Sequence, residues 1–566
     1  MNRKYFLILF LIFTACKTLE TENSDQTQEK TGIAIPQFPF EWGNANVYFL
    51  LTDRFYNGEK ANDFQFERKR DGAVLRNFMG GDLKGITKKI ESGYFDTLGI
   101  TAIWFTPPVE QIHSFTDEGT GQTYGYHGYW ARDWTAIDPN FGTADELKEL
   151  IDTAHNHGIR ILMDVVMNHT GPVTEIDTQW PNEWVRTEPT CTFQNIETTV
   201  ECTLVDNLPD IYTAKNEDVT LPDFLVEKWK AEGRYEQEMQ ELDAFFERTG
   251  YPRAPRYYLI KWLTDWVREM GIDGFRVDTA KHTHAFIWAE LKKEALAALK
   301  EWKSANPDKK LDDLAFFMTG EVYNYTLHDG QNFNMGNNEM VNFYENGFES
   351  LINFSLKKDA YNSYESIFGS FDQVLNGELK GKSVLNYLTS HDDGEPFDLE
   401  RKKVFEAGTK LLLCPGSSQV YYGDETARPL IVEGAVGDAN LRSFMNWEAL
   451  AANEKTNGFS INNVYNHWAK LGRFRRAHLA VGLGKHTMLQ EEPYVFKREY
   501  MHNGVTDKVL VALDLDFTSD FMQMDVFEVF EDGDKVKDYY SDKMYTVKEG
   551  KVVLQHQGGI VLLGKE

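Results

Sequence analysis

From residue 46 onward the chain alternates short apolar runs with amphipathic helical patterns, and this alternation constrains the fold more than any other feature. The runs NVYFLL (46–51), ITAIWF (100–105), RILMDVV (160–166), IDGFRV (272–277), AFFMT (315–319), SLINF (350–354), SVLNYLT (383–389) and SQVYY (418–422) read as buried strands. Strands covered by helices on their outer side need apolar residues on both faces, and these runs have them. Between them, ADELKELIDTAHNHG (144–158) sets Leu147, Leu150, Ile151 and Ala154 on one helical face before Gly158 stops the pattern. YYLIKWLTDWVREMG (257–271) does the same with Leu259, Trp262, Leu263, Trp266, Val267 and Met270, closed by Gly271. Eight such βα units predict an α/β fold, a closed (β/α)8 TIM barrel. An open doubly wound sheet would normally carry a glycine-rich phosphate turn after its first strand, and none is present.

One connection is anomalous. Residues 169–255 separate the third strand from the next helix, whereas βα loops usually take roughly two to six residues. This stretch is expected to be an inserted domain, with 219–253 forming an extra helical element. The barrel is then written in two pieces, 36–168 and 256–482. Beyond it, YVFKREY, KVLVALDLDF, KVVLQ and GIVLLG alternate with turn residues, predicting a C-terminal antiparallel β-sandwich domain over 483–566.

Charge and cysteine usage narrow the partners. Lys and Arg total 59 against 88 Asp and Glu, a formal net charge of −29. Nucleic-acid binding needs a basic patch to neutralise phosphate, so no nucleic-acid partner is expected. The balance suits a neutral substrate and would attract divalent cations. Aromatics make up 14% of the chain, which serves either a bulky core or platforms for sugar rings; composition does not choose. The N-terminus has a short basic start, Asn2-Arg3-Lys4, and an apolar run over 5–13 that is too short to cross a bilayer. Its end, Phe13-Thr14-Ala15-Cys16, resembles a bacterial lipoprotein signal, which implies a signal peptide over 1–15 and lipidation at Cys16. An ordinary secretory signal with a chance cysteine is the alternative. Residues 16–35 are mostly polar and read as a flexible tether. The expected protein is thus an exported lipoprotein that meets the membrane only through its N-terminal lipid. Lys17 lacks the Asp that holds some lipoproteins in the inner membrane, which inclines the expectation to the outer membrane. In an oxidising compartment Cys191 and Cys202 are expected to pair, while Cys414, in the apolar run KLLLC, reads as a buried thiol. The oligomeric state is left open.

In a barrel of this kind the chemistry sits at the C-terminal ends of the strands. There the third strand gives Asp164 and the pair Asn168-His169; the fourth gives Arg276, Asp278, Lys281 and His282. The fifth gives Glu321, and the seventh gives His391 and Asp392. Paired carboxylates flanking an acetal are what glycoside cleavage needs, one as nucleophile or base and one as acid. Asp278 and Glu321 lie on neighbouring strands. That favours the retaining geometry, with carboxyls about 5–5.5 Å apart, over the wider inverting one. Arg276, two residues before Asp278, points to the same side of its strand and can keep that carboxylate ionised.

The segments DVVMNH, GFRVDTAKH, GEVY and SHDD, with LPD at 208–210, resemble the signature regions of the α-amylase family of glycoside hydrolases, in the right order and spacing. VYFLLTDRF (47–55) and YGYHGYWARDW (124–134) are also similar to it. The resemblance implies that Asp278 is the nucleophile, Glu321 the general acid and base, and Asp392 the residue that holds the sugar hydroxyls in the transition state. It implies substrate contacts from His127, Tyr129, His169, Arg276 and His391, leaving-group contacts from Lys281 and His282, and a structural role for Asp164. It further implies Ca2+ bound by Asn168, Asp210 and the backbone carbonyl of His282, all oxygen donors as calcium requires. Asn57, Asn62, Asp63 and Asp82 resemble a second calcium loop; a polar Asx-rich turn would look the same.

The implied activity is retaining endo-hydrolysis of α-1,4-glucosidic bonds in starch, glycogen or maltodextrins, with an α-glucan or maltooligosaccharide as substrate. Ser390 stands where the family's fourth region usually has Asn, as in relatives acting on cyclodextrins and short oligosaccharides. A maltodextrin- or cyclodextrin-specific hydrolase or a glucanotransferase is therefore the alternative on the same scaffold. A non-catalytic glucan-binding lipoprotein would be expected to lack a carboxylate, and here all three are present.

Overall fold

The computed structural model describes residues 38–117, 119–516, 521–555 and 559–565. The expectations for the signal peptide, the tether and Cys16 lie outside the described residues. Eight parallel strands close a barrel in sequential order: β1 (Asn46–Leu50), β2 (Ala102–Phe105), β3 (Arg160–Val165), β4 (Gly274–Val277), β5 (Phe317–Gly320), β6 (Ser350–Asn353), β7 (Ser383–Asn386) and β8 (Ser417–Tyr421). The ring is shut by β1 lying against both β2 and β8, in the register Val47↔Ala102 and Asn46↔Ser418. All eight are buried along their whole length, which is why the sequence shows unbroken apolar runs rather than alternation.

The two helices read from periodicity form where it predicts them, and further helices join them in the outer ring. α1 (Leu83–Glu91) is capped by Asp82, whose side chain accepts from the Gly85 N–H. α2 (Ala144–Asn156) starts in a capping box between Thr143 and Glu146 and buries Leu147, Leu150, Ile151 and Ala154. The inserted segment contributes α3 (Asp223–Glu232) and α4 (Tyr235–Thr249). The barrel resumes with α5 (Pro255–Met270), which has Pro at its first position and ends at Gly271. Gly271 holds a φ of 81°, and a Cβ there would sit 2.3 Å from the Trp302 ring, so both conformation and space demand glycine. α6 (Phe286–Ala305), α7 (Tyr364–Leu375), α8 (Val404–Leu412) and α9 (Ile461–Ala477) complete the outer ring.

The insertion is tied down at several points. Val185–Arg186 pairs antiparallel with Asp210–Ile211, and Cys191 and Cys202 are disulfide-bonded. Lys228 and Arg234, on and just after α3, both reach the buried Asp133 carboxylate, at 2.6 and 3.1 Å. Two cations on one buried acid give the helical element a fixed seat.

The C-terminal strands are β9 (Lys485–Gln490), β10 (Tyr494–His502), β11 (Val505–Leu513), β12 (Phe521–Asp525), β13 (Lys535–Asp538), β14 (Lys543–Thr546), β15 (Lys551–Gln555) and β16 (Val561–Lys565). Six form an antiparallel sheet in the order β9-β10-β11-β16-β13-β14, and β12 pairs with β15 as a separate ribbon. Leu510, Val536 and Leu563 of the sheet meet Met524, Val552 and Leu554 of the ribbon in one apolar core, a sandwich of unequal layers. The floor of the barrel is sealed by Trp42, stacked on Phe317 at 4.1 Å. Arg475 of α9 donates there to the backbone carbonyls of Asn44, Leu412 and Cys414. Arg498 of β10 donates to the carbonyls of Leu413 and Val481, which fastens the sandwich to the barrel. Cys414 is a buried free thiol.

Candidate active site

Four strands deliver the chemical groups to one rim. β3 contains Asp164 and leads into Asn168 and His169; Asp278, Glu321 and the pair His391-Asp392 follow β4, β5 and β7. A single guanidinium organises most of them. Arg276 is 1% exposed. Its Nη1 donates to Asp164 Oδ1 at 2.9 Å and to Asp278 Oδ1 at 2.8 Å, while Nη2 lies 3.1 Å from Glu321 Oε1. One cation thus serves three buried carboxyls, less compensation than their burial demands.

Their proton affinities follow. Burial raises Asp278 and Arg276 opposes it; with Asp164 adding its negative charge, the carboxyl stands at about 6. Burial pushes Glu321 higher, to about 7, with Asp278 and Asp392 contributing to the rise against Arg276. Asp392 has the opposite setting. Removal from bulk water acts to raise it, but His391, with Nε2 2.9 Å from Oδ2, and Arg442, which donates to Oδ1, hold it well below the usual carboxylate range. Three carboxyls within one site therefore bind protons very differently. Thr279, next to Asp278, adopts a left-handed φ of 46°, a conformation that costs a β-branched residue on the order of 1–3 kcal/mol. Its N–H donates to Glu321 Oε2 at 3.0 Å.

The surrounding rings are uncharged near neutrality. Burial lowers His169 to about 4 and His391 below its ordinary value. Burial, then the charge of Arg442, takes His127 well below. Tyr129 stacks on His391 with centroids 5.2 Å apart, and its hydroxyl donates to Asp164 Oδ2 at 2.7 Å. Trp104 Nε1 donates to the same oxygen at 2.9 Å. Lys281 Nζ donates to the Tyr323 carbonyl at 3.1 Å, and His282 Nδ1 faces the Thr199 carbonyl at 3.2 Å.

These groups open onto a cavity of about 630 Å3. Asp278, Glu321, Asp392, His127, Tyr129, His169, Lys281 and His282 all line it. Arg276, Asp164 and His391 stand outside that lining and hold residues that form it. Sequence reasoning missed several others. Arg442 reaches Asp392 from the Gly437–Arg442 turn, and Asp438 bridges it to Arg76 at 2.8 and 2.7 Å. Phe193 and Val205 come from the disulfide-bearing part of the insertion, and Tyr323 from just past Glu321. Only Tyr323 had a local signal, its place in the strand-end motif.

Among the described residues no three His, Cys, Asp or Glu side chains converge on a point that would hold a metal ion. Any cation here would rest on at most two such side chains, with amide and carbonyl oxygens completing the set. At the junction of barrel and insertion, Asp210 is buried and pushed up to about 7, only partly offset by Arg186 at 3.6 Å. Asn168 Nδ2 donates to Asp210 Oδ1 at 3.2 Å, and Asn168 Oδ1 receives only the Thr283 hydroxyl at 3.5 Å. This undercompensated acid beside a weakly engaged amide oxygen fits a hard cation. In the loop before α1, the amide oxygens of Asn57 and Asn62 are buried without a hydrogen-bond partner. Asp63 and Asp82 beside them already accept from Asn57 and Asn62, respectively.

Chemically, the site offers a carboxylate ionised near neutrality, a second carboxyl half protonated there, and a third that stays ionised. Neutral imidazoles and aromatic faces surround them. That set suits attack on, and protonation of, a neutral polyhydroxylated substrate. Residues 49–465 match the family described as "Alpha amylase, catalytic domain". The chain is 37% identical over 536 aligned residues to the periplasmic alpha-amylase of Escherichia coli (strain K12), covering 84% of this chain and 72% of that one. It is 25% identical over 528 residues to a cyclomaltodextrin glucanotransferase of Geobacillus stearothermophilus, spanning 91% of this chain and 65% of that one. The fold is shared with a crystal structure of an Anoxybacillus alpha-amylase, at a TM-score of 0.63 and 22% identity, covering 93% of this chain and 99% of that one.

Proposed function

The chain belongs to the α-amylase family and is a glycoside hydrolase, and from that premise we propose that it cleaves internal α-1,4 bonds of starch-type glucans with retention of configuration. The observation that carries this reading is Arg276 shared between Asp278 and Glu321, which leaves the two carboxyls at about 6 and about 7. Near neutrality Asp278 is ionised and attacks the anomeric carbon, forming a glucosyl ester. Glu321 gives its proton to the departing glycosidic oxygen in the same step. In the second step Glu321 takes a proton from water, whose oxygen displaces Asp278 and restores both groups. Asp392, ionised throughout, accepts hydrogen bonds from sugar hydroxyls that tighten as the ring flattens. His127 and His169, being neutral, contact hydroxyls without adding charge, His391 acts through its hold on Asp392, Tyr129 presents a ring face, and Lys281 and His282 serve the leaving-group side. Reducing-end release from soluble starch should vanish in Asp278→Ala. A wild type that binds glucan and releases nothing would move the capture-protein reading to the front.

Ser390 and the similarity to a glucanotransferase favour one second reading, in which a sugar hydroxyl rather than water resolves the ester. Products longer than the starting maltoheptaose would establish it.

Calcium is part of the proposal. Asn168, Asp210 and the His282 carbonyl would hold one ion, and Asn57, Asn62, Asp63 and Asp82 would hold a second. When bound, it would supply positive charge that pins the insertion to the barrel and take no part in bond cleavage. Calorimetric titration with Ca2+ alone, and the melting temperature with and without chelator, test this. Absence of bound heat together with an unchanged melting temperature would end it. The chain is exported, in keeping with its periplasmic relative, and lipidation at Cys16 anchors it to the outer membrane. No helix among the described residues is long and apolar enough to cross a membrane. Metabolic labelling with palmitate in wild type and Cys16→Ala, followed by membrane fractionation, tests the anchor; equal labelling would refute it.

A further inference from the structure

The connection from β5 to β6 carries a small antiparallel hairpin, Phe333–Asn334 against Met340–Val341, that takes no part in lining the catalytic cavity. Its turn runs through three successive residues of positive φ: Gly336 at 109°, Asn337 at 50° and Asn338 at 62°. Glycine adopts that region freely and asparagine tolerates it better than most residues. The turn closes on itself. The Met335 N–H donates to the Glu339 carbonyl and the Glu339 N–H to the Gly336 carbonyl, both at 2.8 Å. Its base is tied to the segment that follows Glu321. The Phe333 ring lies 6.3 Å from that of the buried Tyr325, whose hydroxyl donates to the Gly330 carbonyl at 2.8 Å.

The tip of the hairpin reaches the inserted domain, 143 positions away in the chain. Glu339 Oε2 accepts from the Ile196 N–H at 2.8 Å. A Cβ on Gly336 would stand 2.0 Å from the Gln194 carbonyl oxygen, so the two backbones touch. Residues 194–198 have already spent their own side chains. Asn195 Oδ1 accepts from the Thr198 N–H at 2.8 Å, and Thr198 Oγ1 accepts from the N–H groups of Gln194 and Asn195 at 2.9 and 3.1 Å. The first N–H of the short helix Ile196–Val200 is left for an outside partner, and the half-buried Glu339 carboxylate supplies a charge-assisted one. What this helix holds bears on the cavity. The Thr199 carbonyl faces His282 Nδ1 at 3.2 Å, and the Phe193 ring, just before the helix, meets the His282 ring edge-on at 4.8 Å. Phe193 is 40% exposed and lines the cavity. Arg186 and His284 hold the far end of the helix through Glu201, at 2.7 and 2.8 Å. Glu339 holds the near end. The Cys191–Cys202 disulfide closes the loop on itself but does not set where it stands over the cavity.

We propose that Glu339 is a positioning residue for the leaving-group side of the cavity, and that the hairpin is a latch fixing Phe193 and His282 relative to Glu321. The assignment of that side rests on the function proposed above. The latch itself rests on the contacts of Glu339 and Gly336. Sugar units beyond the scissile bond lie against this wall, as does a sugar acceptor that resolves the ester. A small aryl leaving group needs only the point of cleavage.

The test uses the full chain as wild type, Glu339→Ala, Glu339→Gln and Gly336→Ala, the last driving a methyl group into the Gln194 carbonyl. Two substrates are compared: maltoheptaose, and 4-nitrophenyl α-maltotrioside read by nitrophenol release. In Glu339→Ala and Gly336→Ala, KM for maltoheptaose should rise at least about fivefold with kcat changed less than about twofold, and kcat/KM for nitrophenol release should stay at the wild-type value. Glu339→Gln keeps an acceptor oxygen for the Ile196 N–H and should restore the wild-type KM. In a Phe193→Ala background, Glu339→Ala should add nothing further, because it acts through that ring. An unchanged KM in Glu339→Ala, equal losses on the two substrates, or full additivity with Phe193→Ala would each overturn the proposal. Hydrogen exchange over 193–200 reads the latch without catalysis. Exchange should be faster in Glu339→Ala and as slow as wild type in Glu339→Gln, and equal rates in all three would overturn it as well. If no form of the protein releases product from either substrate, the hydrolase reading fails and the exchange result still decides the latch.

Discussion

The two ends of the barrel use buried arginine for opposite purposes. At the rim, Arg276 faces three carboxyls, so charge is present in excess and protons are easily exchanged. At the floor, Arg475 and Arg498 face backbone carbonyls instead. Burial pulls their guanidinia down, to about 9 and about 10, with Cys414 partly opposing; both remain charged at neutral pH. The difference teaches that a buried cation becomes chemically useful only when its partners titrate. Paired with carbonyls it is a rivet; paired with too many carboxylates it sets up an acid and a nucleophile.

That contrast can be broken by experiment. The largest effect is expected from Glu321→Gln, which should lower kcat by on the order of 10^4-fold or more while leaving unfolding by urea little changed. Arg475→Met should do the reverse. Leaving the carbonyls of Asn44, Leu412 and Cys414 without their donor should cost about 3 kcal/mol or more, with kcat per folded molecule preserved. Equal activity losses in the two variants would erase the distinction.

The pH dependence comes next. Activity should fall on the acid side as Asp278 is protonated near about 6, and on the alkaline side as Glu321 loses its proton near about 7. Stability should move the other way at these two groups. Their folded-state values lie above those of free carboxyls near 4, so the native state binds the extra protons. Stability therefore declines as pH rises from about 4 to about 7. Asp392, held low, contributes the opposite slope, stability that is lost as the solution is acidified. Melting temperatures across that range, for wild type and Asp278→Asn, separate the contributions; the variant should gain most at pH 7.

Reduction of Cys191–Cys202 is a milder test of the rim. Loss of this short crosslink should cost ~3 kcal/mol of local stability and raise KM more than it lowers kcat, since Phe193 and Val205 line the cavity. Smallest is Asp164→Asn. It frees Arg276 for Asp278, so the acid limb of the rate profile should shift to lower pH, read from kcat/KM. An unshifted limb would mean that Asp164 and Asp278 do not share the cation.

The barrel was legible because its strands are buried on both sides and its helices on one, so their periodicities are unmistakable. The carboxyls were legible because strand ends are where such a fold exposes polar groups. Arg442 and Asp438 were not, because the Gly437–Arg442 turn has no periodicity and its contact with Asp392 spans 50 positions in the chain. Trp104 looked like core because it sits within an apolar run, yet its indole N–H is aimed at Asp164. Nothing local marks Arg475, in a basic helix end, or Arg498, in an alternating strand, as buried. Only three-dimensional packing reveals that both are buried.

The sequential order of the barrel has a consequence for how the chain is made. β1 pairs with β8, Asn46 with Ser418, so one hydrogen-bonding edge of the first strand stays open until the eighth has been synthesised. Every catalytic carboxyl precedes that point in the chain. A growing polypeptide thus carries the complete chemical apparatus well before the cylinder that aligns it can close. Throughout that interval its first and last finished strands present unpaired edges to any neighbouring chain. Aggregation during synthesis, rather than premature catalysis, is the hazard that this topology creates.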